Sequence, residues 1–228
     1  MACRIFEKST TPLTYWFYAM FLFCVSKNGI SAMEVMRQVG VTYKTAWRML
    51  KQIRSMIQND NFMIDGLVSS DETFIGGKNK NRHWDKKVEH SQGRSFKDKT
   101  PVVGIMSGKR VRAFVIKDTK ASTLQPVVTG NVKFGSLLVT DEWSGYTGLG
   151  NVYDHKIVDH KNKQYTDKDG YSSNNIENFL SIVKRTLQGS YIQMSAKYLQ
   201  LYINECCFRF NNRENRAIFH ELLGFVSR

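Results

Sequence analysis

The chain has 228 residues, 42% of them apolar and 12% aromatic, which excludes a disordered protein and leaves room for one catalytic domain plus a smaller accessory one. Its 33 basic residues against 20 acidic ones leave a net charge of +13, and a surplus of that size points to a polyanionic partner, because cations that neutralise phosphates release condensed counterions. Cys3, Cys24, Cys206 and Cys207 show no C-x-x-C spacing, which argues against a disulfide framework and for a reducing, cytoplasmic setting.

Residues 12 to 59 predict three helices. Pro12 suits a first helical turn, and the apolar run from Leu13 to Val25 stops near Asn28-Gly29. That run is too short for a membrane span, and no small-residue cleavage site follows it. Ser31 with Glu34 three residues later is a capping-box pattern, opening a short helix that ends at Gly40. Thr42 caps a third helix running to about Asn59. On it Ala46, Met49, Leu50, Ile53 and Ile57 form one apolar face, with Lys44, Arg48, Lys51 and Arg54 assigned to the opposite, solvent side. Two short helices joined at a glycine, the second one basic, read as a helix-turn-helix for DNA. An ordinary three-helix packing unit with a solvated basic face would show the same pattern.

From residue 67 the period changes to that of strands. Leu67 to Ile75 reads as a strand ended by Gly76-Gly77, and Val102 to Met106 and Val111 to Ile116 flank a hairpin turn at Ser107-Gly108-Lys109-Arg110. A short helix over 122 to 129 precedes a strand from Ser136 to Thr140, and Tyr153 to Val158 is the fifth strand. Helix returns from Asn174, over Glu177 to Leu187 and Lys197 to Asn211. Three consecutive strands, then helix, strand, helix, strand and helix, is the order of a ribonuclease H-like fold. The expected class is therefore α/β, a ribonuclease H-like mixed sheet with flanking helices, preceded by a small all-helical helix-turn-helix domain. The expected boundaries are 1–62 for the DNA-binding region, 63–214 for the catalytic domain and 215–228 for a helical tail. Between the first two strands, Lys78 to Lys99 carries eight basic and three acidic residues. Lys78, Lys80, Arg82, Lys86 and Lys87 belong to it, with Arg94, Lys97 and Lys99. It reads as a solvated loop that lies along DNA.

Three carboxylates stand out. Asp71 sits in the first strand, Asp141 ends the fourth, and Glu177 follows 36 positions later on an amphipathic helix whose core face is Ile176, Phe179, Leu180, Val183 and Leu187. Asn174 precedes Glu177 by about one helical turn and Lys184 follows it by about two, so all three share a side. A capping box would account for Asn174 and Glu177 alone, but not for Lys184 or the strand-borne aspartates. Phosphodiester transfer needs such a set, since two divalent cations about 3.5 to 4 Å apart activate the nucleophile and stabilise the leaving oxygen. Magnesium prefers carboxylate oxygen, water and phosphate as ligands. Asp71 would bridge two ions, Asp141 and Glu177 would complete their shells, and Lys184 would hold a backbone phosphate as a point charge.

The runs Asp71-Glu72-Thr73-Phe74-Ile75-Gly76-Gly77-Lys78, Thr140-Asp141-Glu142-Trp143-Ser144-Gly145-Tyr146 and Asn174-Asn175-Ile176-Glu177-Asn178-Phe179 through Lys184-Arg185 resemble the DDE transposases of bacterial insertion sequences, in the branch related to Merlin elements. Phe208-Arg209-Phe210-Asn211-Asn212-Arg213 resembles that branch's closing helix, and Gly29-Ile30-Ser31 with Thr45-Ala46-Trp47 its helix-turn-helix. The resemblance covers roughly residues 5 to 213. It implies a ribonuclease H-like fold, magnesium or manganese, and cutting and joining of double-stranded DNA at an element's terminal repeats; a homodimer is expected because two element ends must be joined together. It carries Asp71 and Asp141 over as metal ligands. For the third position the branch has an Asn and a Glu three apart, here Asn174 and Glu177. Glu177 is preferred because a neutral amide offsets no metal charge. Arg185, beside Lys184, joins the DNA-contacting set. The family's zinc ribbon is not met before the helix-turn-helix, where Cys3 stands alone, so the chain reads as entering the family pattern partway through.

His83, His90, His155 and His160 match no common zinc spacing and read as solvated or capping residues. Trp143 and Tyr146 either stack on an unpaired base near the cleavage site or pack against the domain core. Leu201, Tyr202, Ile203, Cys206, Phe208 and Phe210 read as core on the last long helix. Two rival functions share the charge: a DNA-binding protein without catalysis, which would need none of the carboxylates, and a plain ribonuclease H-like nuclease, which would cut without joining.

Overall fold

The computed structural model describes residues 4–6, 9–57, 62–76, 83–88, 99–158, 172–192 and 194–226. Cys3, Lys78, Lys80, Arg82, His90, Arg94, Lys97, His160 and the expected helix end near Asn59 lie outside these residues, as does the side chain of Lys86. In chain order the elements are α1 (Leu13–Val25), α2 (Ala32–Val39), α3 (Tyr43–Met56), β1 (Leu67–Ile75), β2 (Thr100–Ser107), β3 (Arg110–Val115), α4 (Ala121–Thr129), β4 (Leu137–Asp141), β5 (Asp154–Val158), α5 (Asn174–Thr186), α6 (Leu199–Asn211) and α7 (Ile218–Gly224). None of these helices is long and apolar enough to cross a membrane.

Residues 1–61 and 185–228 form one compact unit and residues 62–184 a second, so the division falls inside α5. This differs from the segmentation expected above, in which α6 went with the sheet and the first 62 residues stood alone. The reason is packing. Trp16, Met20 and Phe23 of α1 share one apolar core with Met49 and Ile53 of α3, Phe208 of α6, and Leu222 and Phe225 around α7. The capping signals hold as read: the Ser31 hydroxyl accepts the Glu34 N–H, α2 ends at Gly40 with a φ of 75°, and the Thr42 hydroxyl accepts the Thr45 N–H.

One basic residue of α3 is not where its charge suggested. Arg54 is buried, and its Nε donates to Glu205 Oε2 at 2.7 Å. Glu205 is wholly buried too, and its Oε1 also accepts from Arg209 at 2.8 Å and from the Tyr191 hydroxyl at 2.7 Å. Arg209 in turn donates to the carbonyls of Phe23 and Ser26 at the end of α1. Arg54 follows Leu50 by four residues, which puts both on the core side of the helix. It therefore leaves the DNA-contacting set. Gly29 lies beside this network with a φ of 83°, and a Cβ there would come within 2.0 Å of the Tyr191 hydroxyl.

The second unit is built on a five-stranded sheet in the order β3-β2-β1-β4-β5. β1 to β3 pair antiparallel, and β4 and β5 run parallel to β1. That is the ribonuclease H-like order expected from the sequence. Between β4 and β5 the expected helix is replaced by two short 3-10 turns, Ser144–Tyr146 and Leu149–Asn151. Val68, Ile105 and Leu138 face one way into a core with Leu124 and Val128 of α4. On the other face Gly104 lies under α5, where an added Cβ would approach Ile176 Cδ1 to 2.7 Å and Leu180 Cδ2 to 3.2 Å. Gly104→Val is therefore expected to cost about 1–3 kcal/mol by overpacking, read as a lowered urea midpoint of the sheet unit.

Candidate active site

The pairing of the central strands sets the site. β1 and β4 pair in parallel from Leu67↔Leu137 to Ser69↔Val139, so Asp71 comes level with Asp141, two residues further along each strand. β4 ends at Asp141 whereas β1 runs on to Ile75, still paired with β2. A crevice opens where a parallel neighbour stops, at the carboxyl ends of the strands. Asp71 pairs across from Gly104, the residue beneath α5, so its side chain belongs to the α5 face of the sheet.

Carboxylate oxygens of Asp71, Glu72 and Asp141 all lie within 4.8 Å of one another, and each residue is half-buried. Two of the three sequence-predicted carboxylates are thus brought together. Glu177 stands outside this grouping, in the first turn of α5, where it accepts a 2.6 Å hydrogen bond from the Ser173 hydroxyl. Asn174, the first residue of α5, is exposed and takes its own backbone bond to Ser172 Oγ; Lys184 and Arg185 near the end of the helix are exposed as well. Ser173, not Asn174, precedes the helix, and its backbone carbonyl accepts the Ile176 and Glu177 N–H groups, so the alternative reading of Asn174 and Glu177 as a capping box does not hold.

Glu72 was missed by sequence reasoning. Alternation along β1 puts it on the face of Val68 and Ser70, opposite Asp71. There its carboxylate bonds the hydroxyl of Tyr146, which also lies 3.1 Å from Ser70 Oγ. Burial first, and the negative Glu72 second, push the Tyr146 hydroxyl well above its ordinary value, so it stays a protonated donor. The adjacent pair Asp71-Glu72 was the available signal, since both reach one strand end despite pointing to opposite faces.

Beyond Asp141 the chain turns tightly. Asp141 Oδ1 accepts the Trp143 N–H at 3.0 Å, and Trp143 Nε1 donates to the Thr119 carbonyl at 2.8 Å. Tyr146 is buried in the sheet core and Trp143 packs partly against it, which is the packing reading of the two aromatics. His155, in β5, lies 2.8 Å from Thr140 Oγ1, and burial lowers its pKa and keeps the ring neutral. The side chain of His83 pairs with Asp85, and the metal-ligand grouping found among the described residues includes no histidine. A cavity of about 330 Å³ sits beside Asp141, walled by Glu142, Trp143, Asn151 and His155 among others.

The other basic candidates are scattered. Lys44 and Lys87 are exposed, whereas Lys51 lays its ammonium over the rings of Trp47 and Tyr198, at 5.5 and 5.2 Å. Arg48 is half-buried and donates to Ser9 Oγ and Thr11 Oγ1. The described cysteines Cys24, Cys206 and Cys207 are buried and form no disulfide with one another.

A mixed sheet in this order, with aspartates level on two neighbouring central strands, defines a ribonuclease H-like domain. The chain belongs to the ISXO2-like transposase domain family, whose model matches residues 63–211. An uncharacterised transposase-like protein of Haemophilus influenzae is 30% identical over 109 residues, 47% of this chain and 86% of that one. Among solved structures, the Mos1 transposase in a pre-cleavage transpososome aligns with 97% of this chain and 82% of its own, at 10% identity and a TM-score of 0.27. The Mos1 strand transfer complex aligns with 97% and 81%, at 10% identity and a TM-score of 0.32. At such scores the fold rests on the strand order, not on the superposition.

Proposed function

We propose that this transposase-family protein cuts and joins double-stranded DNA at the ends of a mobile element, with Asp71 and Asp141 holding divalent cations. The observation that carries this reading is the meeting of the two aspartates, with Glu72, within 4.8 Å at the end of β4. Half-buried oxygen donors so close repel one another, and hard cations such as magnesium or manganese fit that donor set. When bound, such ions activate a hydroxyl nucleophile and stabilise the departing oxygen of the phosphodiester.

The chain's own residues divide the remaining work. Asp141 is oriented by the Trp143 N–H, and Glu72 anchors the following turn through Tyr146. Glu177, one residue from the Ile176 that covers Gly104, supplies the third ligand after leaving Ser173. Exposed Lys184 and Arg185 steady backbone phosphate, and the basic residues Lys44, Arg48, Lys51, Lys78, Lys80, Arg82, Lys86 and Lys87 add charge along the duplex. Two copies of the chain act together, one for each end to be joined.

The test is joining of a labelled, pre-cleaved element end into plasmid DNA with magnesium or manganese, against the same reaction in chelator. Joined product that needs metal is the expected result. Cutting without joining would make the protein a nuclease, and binding without either would make it a DNA-binding relic. Glu177 and Glu72 are separated by their amides. Glu177→Gln is expected to weaken manganese binding, followed by titration calorimetry, at least about tenfold, and Glu72→Gln to weaken it less than Glu177→Gln does. The reverse order would exchange their roles.

A further inference from the structure

α1 is apolar nearly all round, and no residue from Leu13 to Val25 is charged. A helix of that kind is ordinarily covered on every side. Here one side is: Trp16, Ala19, Met20 and Phe23 are wholly buried in the helical core. The opposite side is open, with Tyr18, Phe21 and Val25 at 41, 46 and 56% exposed. Thr14, Tyr18, Phe21 and Val25 follow one another at steps of four, three and four, the spacing of a two-helix seam, and Phe17 and Leu22 flank them. The rings are held in place from within the same unit: Phe17 lies 5.9 Å from Phe6, and Phe21 meets Phe219 of α7 edge-on at 6.1 Å.

Charge and pattern select the occupant. The chain carries +13, so two copies repel over most of their surface, and an uncharged face is where they approach at least cost. DNA and acidic peptides fit the basic surfaces instead, since α1 offers them no cation. An anionic membrane is disfavoured for the same reason. Self-pairing needs a surface that is its own complement. About a two-fold axis level with the Ala19–Met20 peptide, antiparallel copies of α1 set Tyr18 against Phe21, Phe17 against Leu22 and Thr14 against Val25. Aromatic meets aromatic in the middle, and small residues meet at the ends. A ring side chain covers about 150–250 Å², so at their exposures Phe17, Tyr18 and Phe21 offer about 250 Å² per copy as the centre of a contact. One side of a standard interface averages about 800 Å², which makes this a small, reversible one.

We infer that α1 is where two copies of this chain meet, packed antiparallel along the Thr14–Tyr18–Phe21–Val25 seam. Its purpose rests on the end-joining reading above, in which two chains bring two DNA ends together. The seam gives α1 a partner that the core of its own unit does not supply. A pairing of this size depends on concentration, so copies separate when dilute and meet when gathered on neighbouring DNA ends.

The test is sedimentation of the full chain, free of DNA, across about 1 to 100 μM, the range in which a contact of this size closes. Wild type is expected to pass from one chain to two as concentration rises, toward twice its 26.3 kDa. Tyr18→Glu and Phe21→Lys are each expected to raise the dissociation constant about tenfold or more, since a charge facing an apolar ring must give up its water. Mixed in equal amounts the two variants should pair again, because the new carboxylate of one copy then faces the new ammonium of the other. Val25→Lys places a cation in the last turn of α1, where it suits the helix, so its loss of pairing does not come from unfolding. A wild type that stays single throughout, variants that pair like wild type, or a mixture that does not recover would overturn the inference and leave the face to a different partner. Joining of a pre-cleaved DNA end is measured alongside. Wild type that joins DNA yet never pairs loses the interface alone. Wild type that pairs through α1 yet neither binds nor joins DNA loses the DNA-processing reading alone.

Discussion

Asp141→Ala is expected to reduce joining of a pre-cleaved DNA end by about a thousandfold or more, since a metal ligand contributes several kcal/mol to stabilising the transition state. Duplex affinity should stay the same or rise slightly. The substitution removes a negative charge from a site that faces phosphate, in a chain whose net charge is already +13. The two effects go in opposite directions, which separates a chemical role from a structural one. Loss of Asp141 also frees the Trp143 N–H that it accepts at 3.0 Å, so Asp141→Asn is the companion variant. Asparagine keeps the acceptor oxygen and the turn but gives up the charge. If Asn and Ala are equally dead in joining while both bind DNA, the charge is what matters. An Asn variant near wild-type activity would remove Asp141 from the metal site.

The largest loss of stability is expected from Glu205→Leu. It strands two guanidiniums, Arg54 and Arg209, in the core of the helical unit, and breaking a buried pair by removing one partner costs about 3–5 kcal/mol. The pH dependence has a definite sign. Burial alone would raise the Glu205 carboxyl, but Arg54 and Arg209 outweigh it and hold the folded value below the ordinary one. A depressed folded pKa gives stability that is present above the unfolded carboxyl range and is lost as pH falls through the folded value. Urea unfolding of the wild type, followed by circular dichroism, should therefore weaken in acid through this group, and the leucine variant should lack that component. A flat wild-type profile, or a variant as stable as wild type, would show that the buried charges contribute nothing net.

How far the sequence carried the fold depended on whether the signal was local. Ser31, Gly40 and Thr42 act on backbone groups a few residues away, and they marked helix ends correctly. The strands of the sheet were legible from alternation and from the hairpin at Gly108. The segment between β4 and β5 was not, because a crossover of this length closes with 3-10 turns as readily as with a helix. At the site, Asp71 and Asp141 were visible since each sits in or at the end of an apolar strand. Glu72 was passed over because strand alternation alone assigns it to the far face, and only the Tyr146 hydroxyl explains why its carboxylate still reaches the strand end. Arg54 was misplaced for the converse reason. Its charge suggested solvent, whereas its partner Glu205 lies 151 positions away and leaves no local trace.

The helical unit is assembled from both ends of the chain, with residues 62–184 inserted between its halves. Its order of birth on the ribosome follows. α1 to α3 emerge first, but Phe208, Leu222 and Phe225, which complete their core, are made some 150 residues later. Until then Trp16, Met20 and Phe23 have only the α2 and α3 part of their apolar core, and Arg54 lacks its carboxylate. The basic α3 should thus acquire its final shape only after the strands bearing Asp71 and Asp141 have been synthesised, so an interrupted chain would own neither a settled α3 nor its anchor. A fragment of residues 1–62 is accordingly expected to show little cooperative melting by circular dichroism, and to regain it when a peptide of residues 195–228 is added.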